Sequence, residues 1–309
     1  MQTTFRKTLA RAAALSALAA AALAVTQPAS AQQIIGLTTT NALITFDAAT
    51  PENGSPLTSI SGLDGVNQRI LAIDTRPTNG LLYGVSTDSK LYTLNAATGA
   101  ATKVGNLATA LNGTAFGFDF NPVADTNGVA SLRIVSNTGQ NLAVNANTGG
   151  VTVQTALKFG GNPIGAAGAA YKDNDANPAT NSVGLYYIDS ASDGLYFTSA
   201  PAAGNLSFVG SLGWNSTGVI GFDIAGVNND AFAGLTIDGT DTGKSGLYRI
   251  NLGTGMASLI GEFGIGGNTA LSPPLLGLTV AAVPEPETYA LMLAGLLGVG
   301  FVARRRLPR

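Results

Sequence analysis

The chain has 309 residues, with 16 Lys and Arg against 18 Asp and Glu, no cysteine and no histidine. Those two absences exclude disulfide support, Ser-His-Asp and Cys-His nucleophilic sites, and the usual zinc sites. Between Gln32 and Ala282 stand 9 Lys and Arg against 16 Asp and Glu, a net charge of −7, whereas a nucleic-acid partner requires a clustered basic face.

Residues 1–31 carry Arg6, Lys7 and Arg11, an Ala- and Leu-rich run through Val25, and "QPASA" ending at Ala31. A basic start, a short apolar stretch and small residues at Ala29 and Ala31 are the three parts of a cleavable secretory signal. The expected partners are the Sec export machinery and signal peptidase, with a mature chain starting near Gln32.

From Gln32 to Ala282 charge is sparse and Gly, Ala, Thr, Ser and Asn are abundant, which suits a turn-rich β domain better than disorder. Four stretches, starting at Ile70, Thr114, Ile164 and Gly218, repeat one order of parts. Each has a small-residue strand (AID, GFDF, GAAY, GFDI), a second strand (LLYGVS or GLYYID) and a third (KLYTLNA, NLAVNA, GLYFTS, GLYRINL). A turn such as "ATG" or "NTG" then leads to a fourth strand. Runs of β-branched and aromatic residues between Gly/Asn/Asp turns are antiparallel strands, and repeats of this length with four strands each are propeller blades.

The ends complete the set. Residues 34–61 supply strands two to four without a first, and Pro274–Val280 ("PLLGLTV") is a first strand with nothing after it. Joining them gives a fifth blade and leaves no open sheet edge. The expected fold is all-β, a five-bladed propeller over 32–282 closed by its terminal strands. A six- or seven-bladed ring is the runner-up, with a β-sandwich third.

Residues 283–309 open with Pro284, Glu285 and Pro286, continue through an apolar run from Tyr289 to Ala303, and reach Arg304, Arg305 and Arg306. The prolines make an extended stem. A helix over the run spans about 23–25 Å, just short of a bilayer core, and the arginines are expected to stay cytoplasmic. This order of parts resembles the PEP-CTERM sorting tail of exported Gram-negative proteins. The resemblance implies that Pro284, Glu285 and Pro286 form a box recognised by the membrane protease exosortase, and that Arg304, Arg305 and Arg306 are the stop. It also implies delivery to the cell surface or beyond, in bacteria that make exopolysaccharide or biofilm. The repeats, such as "AIDTRPTNGLLYGVSTDSKLYTLNAATGAATKVG" from Ala72, resemble a secreted domain-of-unknown-function family, number 4394, which lends no activity.

Asp74, Asp119 and Asp223 occupy matching places in three first strands. If those strands line the axis, the carboxylates converge, either to hold Ca²⁺ or serve as an acid/base pair, or as structural acceptors for loop N–H groups. The fourth blade has Ala170 or Tyr171 at this place. No other cofactor is expected. "DNDANPATN" places Asp173, Asp175 and Asn177 at calcium-loop spacing but has Pro178 where such a loop needs glycine, so it reads as a polar loop. Trp214 is expected to pack on a blade edge, with sugar stacking as the alternative. Tyr83, Tyr92, Tyr186, Tyr196 and Tyr248 recur at repeat positions and read as blade-to-blade core. Glu52 and Glu262 are the body's two glutamates. Two functions follow: a non-catalytic surface or matrix module, a binding or structural scaffold for polysaccharide or another envelope component, or a carboxylate-dependent glycoside hydrolase.

Overall fold

The computed structural model describes residues 32–281, apart from 181, 227, 239–244 and 268–269. Ala29 and Ala31 of the expected signal-peptidase site and the sorting-tail residues Pro284, Glu285, Pro286, Arg304, Arg305 and Arg306 lie outside them, as does the expected C-terminal helix.

Five antiparallel sheets stand round an axis. The first blade has Leu275–Val280 innermost, then Gln33–Thr38, Ala42–Asp47 and Thr58–Ser59. The second runs from Ile70–Thr75 outward to Ala101–Asn106, and the third from Phe116–Phe120 to Val151–Val153. The fourth runs from Gly168–Tyr171 to Asn205–Ser211, extended by a small hairpin of Lys158–Phe159 and Asn162–Pro163. The fifth runs from Ser216–Ile224 to Ala257–Glu262. Each innermost strand neighbours the next, and the fifth returns to the first.

A blade is buried on both faces, so its strands are apolar throughout rather than alternating: Leu82–Ser86 and Ala231–Ile237 are buried at every position. The buried side chains form five clusters, one per joint between neighbouring blades. Phe46, Phe232 and Phe263 fill the joint of the fifth and first blades, and Leu43, Ile70 and Tyr92 that of the first and second. Tyr83, Tyr92, Tyr196 and Tyr248 are buried, whereas Tyr186 is half-buried. The core is thus divided among the joints, and one blade alone would leave both faces wet.

Three of the five third strands share a Leu-Tyr pair. At Leu91/Tyr92, Leu195/Tyr196 and Leu247/Tyr248 the register to the fourth strand slips by one residue. Such a bulge sharpens the twist and lays the outer strand across the next blade.

Closure rests on the C-terminal strand, which pairs antiparallel with Gln33–Thr38 from Ile34↔Val280 to Thr38↔Leu275. Ending the chain after Ser272 removes it and bares Gln33–Thr38 as an open edge. The shortened chain is expected to lose cooperative thermal unfolding and to aggregate in size-exclusion chromatography. A monomer with an unchanged melt would contradict closure by this strand.

Candidate functional site at the ring axis

Asp74, Asp119 and Asp223 each lie next to the end of, or near the end of, an innermost strand and are buried. One oxygen from each falls within 4.8 Å of the others. The repeat therefore brings together carboxylates separated by up to 149 positions in sequence, because equivalent places in a ring face one axis.

Each carboxylate holds the next blade. Asp74 Oδ2 accepts the Phe120 N–H of the third blade at 2.9 Å. Asp119 Oδ2 accepts the Tyr171 N–H of the fourth, and Asp223 Oδ2 the Val280 N–H of the first at 2.6 Å. In the first blade Thr279 has this role: its Oγ1 accepts the Thr75 N–H at 3.1 Å and donates to Asp74 Oδ1 at 3.0 Å. The fourth blade has Ala170, and there the Ile224 N–H turns instead to Oδ1 of the preceding residue, Asp223, at 2.7 Å. Four joints out of five are clasped by a side chain of one inner strand on the backbone of the next. Asn174, from the loop after the fourth inner strand, adds an Nδ2 donor to Asp119 Oδ1 at 3.0 Å.

Two residues before each of these five inner-strand positions stands a small residue: Ala72, Gly117, Gly168, Gly221 and Gly277. These line the axis, where a cavity of only about 10 Å³ remains, room for one water. A Cβ on Gly117 would stand 2.6 Å from Ala169 N, and one on Gly221 would stand 2.6 Å from the Gly277 carbonyl carbon. Inner strands approach this closely because the side chains are missing, so the axis beneath the carboxylates is filled almost entirely by backbone.

Burial, first, pushes all three upward, Asp119 and Asp223 well above the usual carboxylate range. The charge of Asp74 adds to the rise at Asp119 and Asp223. At Asp74 hydrogen bonds from Asp119, Phe120 N–H and Thr279 work against the rise. Three like charges this close do not ionise together without a counter-charge; protons or a cation must balance them. Ca²⁺ needs six to eight oxygens. The carboxylate oxygens named here already accept N–H or O–H groups, an arrangement that suits shared protons.

The other sequence candidates separate from this centre. Asp173 and Asn229 exchange two hydrogen bonds of 2.7 Å between the fourth and fifth blades. Asp175 accepts the Asn177 N–H at 2.7 Å and the Thr180 hydroxyl, closing a turn instead of facing an ion. Trp214 donates Nε1–H to Ala257 O at 3.0 Å and meets Tyr248 edge-on at 5.6 Å, so it packs on the fifth blade's edge. Glu52 lies in a short 3₁₀ turn beside Gly261, next to Glu262 on an outer strand, and neither reaches the axis. Sequence reasoning missed Thr279 and Asn174. Thr279 was legible, since "GLTV" aligns with "GFDI" two residues past the glycine.

The model of a domain of unknown function, DUF4394, matches residues 42–272, and that of the PEP-CTERM protein-sorting motif matches residues 282–306. No curated protein matches the chain. Among solved structures, a protein from Lactobacillus plantarum is 16% identical with a TM-score of 0.39, over 80% of this chain and 70% of that one. A protein of unknown function from Bacteroides thetaiotaomicron is 13% identical with a TM-score of 0.47, over 83% and 68%. With the repeats matched along most of the described ring, the chain belongs to the DUF4394 family and carries a PEP-CTERM sorting motif behind its closing strand.

Proposed function

We propose that this is an exported, non-catalytic propeller, sorted by exosortase to the cell surface or extracellular matrix, where it binds or organises exopolysaccharide. The carrying observation is the sorting motif at 282–306, directly behind the strand that closes the ring. The signal at 1–31 takes the chain through the Sec pathway, and signal peptidase cuts after Ala31. The apolar run then holds the ring outside the inner membrane until exosortase acts at the Pro-Glu-Pro box. Replacing Pro284, Glu285 and Pro286 by alanine is expected to leave the full-length form in the membrane fraction, seen by immunoblot after fractionation. Unchanged processing and delivery would sink the exosortase reading.

The non-catalytic role is supported by how the carboxylates are used. They are buried, they accept backbone N–H groups, and they stand over an axis with room for one water. The convergence within 4.8 Å favours the second reading, a glycoside hydrolase, since paired carboxyls about 5 Å apart suit a retaining mechanism. That mechanism also needs an open pocket reaching the pair. A glycan array with the Gln32–Ala282 ring tests both readings. Retention of a polysaccharide without cleavage supports the binding module; reducing-sugar release abolished by Asp74→Asn supports the hydrolase.

A further inference from the structure

The ring has two unlike faces, and the chain enters and leaves by the same one. Gln33 and Ala281 are paired neighbours there, with the Ala281 N–H on Gln33 O at 2.8 Å. That face also carries the loops joining first to second strands in the second to fifth blades: 76–81, 121–130, 172–184 and 225–230. The sorting tail thus departs beside the axis, from the innermost strand.

Distance then limits what the ring can do while anchored. From Ala281 to Tyr289, where the apolar run begins, is eight residues, at most about 28 Å of extended chain. To turn the other face toward the membrane, the stem would have to cross a blade and descend its side. Four strands at about 4.8 Å spacing and a six-residue strand of about 20 Å make that path roughly 35 Å. The stem is too short for that path, so the opposite face cannot rest on the bilayer while the tail is inserted.

The same face carries a matched set of exposed apolar side chains. Leu81, Val129 and Val183, in three successive blades, come at or just before the start of the second strand, with exposures of 49%, 59% and 38%. None is needed for the joints. The neighbouring cations already have carboxylate partners: Arg76 with Asp125 at 2.6 Å, Lys172 with Asp173 at 3.3 Å, and Arg249 with Asp230. Contact with a membrane would therefore be apolar and indifferent to lipid charge.

We infer that before sorting the propeller stands exit face down on the lipid surface, with Leu81, Val129 and Val183 as its apolar feet. The opposite face, bearing the second-to-third-strand loops, is the one presented outward. This rests on the anchoring reading above.

The chain has no cysteine, so single labels are clean. Leu81→Cys, Val129→Cys, Val183→Cys and Val66→Cys, the last on the connection into the second blade and 85% exposed, are each labelled with an environment-sensitive dye. The full chain is reconstituted in phosphatidylcholine vesicles containing a headgroup-depth spin-labelled lipid, with Leu293→Cys reporting the tail. Quenching at 81, 129 and 183 is expected to exceed that at 66 by at least twofold. Lengthening the stem by about twenty Gly/Ser residues is expected to shrink that ratio. A quenched tail with equal quenching at 66 and the three feet overturns the inference alone. An unquenched tail overturns the anchoring reading and the inference with it.

Discussion

Lowering the pH from 8 toward 5 is expected to raise the melting temperature of the ring. Asp74, Asp119 and Asp223 have raised folded-state pKa values, so the folded ring keeps protons that the unfolded chain releases above about pH 4. Their favourable contribution is complete below the unfolded value near 3.8 and is lost as pH climbs through the folded values. Asp64, held low by Lys103 and Lys90, acts in the other direction, but its window lies below 3.8. Asp119→Asn removes one of the three like charges. Its amide oxygen can accept the Tyr171 N–H, and its Nδ2 takes the place of the oxygen that accepts from Asn174, whose amide turns over to present its unpartnered Oδ1. We expect a gain of about 1 kcal/mol at pH 8, or about 2–4 °C, and a flatter pH profile. Asp223→Ala, by contrast, abandons the Val280 and Ile224 N–H groups and is expected to cost about 1–3 kcal/mol. Calcium is expected to leave the melt unchanged. Stability that rises with both calcium and pH would place a cation at the axis and refute shared protons.

Gly210→Ala is expected to be the most damaging single methyl in the ring. Gly210 lies on the fourth blade's outer strand, and its added Cβ would strike the Thr254 carbonyl oxygen in the fifth blade's "GTG" turn. From the other side, Gly255 of that turn has φ 80° and would place a Cβ 2.5 Å from Gly210 O. Backbone meets backbone, so neither side has a rotamer to move aside. The other joints repeat the contact: Gly99 against Ser59, Gly149 against Asn106, Gly204 against Ala156 and Gly54 against Gly264. Overpacking here is expected to cost about 3 kcal/mol or more. Gly128→Ala separates conformation from contact: its φ is 81°, yet nothing stands within 4 Å of the new methyl. It is expected to lose only the left-handed penalty of about 1–2 kcal/mol. Equal denaturant midpoints for the two variants would argue against close packing at the joints.

The repeat was legible because a blade is a local object. Strand, turn and strand follow one another within about fifty residues, and the aromatic and β-branched runs with their Gly turns mark each one. Even closure was legible, since a first strand at 274–280 and three strands at 34–61 have no other partners in the pattern. The matching aspartates could be aligned by eye, from Asp74 to Asp223.

What they do there was decided by the ring. A carboxylate in an isolated hairpin faces water; in a five-membered ring the axis brings three of them within 4.8 Å and removes the water. Each one accepts an N–H of the next blade, and no single repeat contains both partners of that bond. The same holds for the turn glycines. Their positive φ could be read from "ATG" and "NTG", but the backbone against which they press is supplied by the preceding blade. The composition and order of residues determined the strands, the blades and the sorting tail, because these depend on neighbours in sequence. Only the closed tertiary structure decided which groups are desolvated and what they touch, because those depend on neighbours that the ring alone brings together.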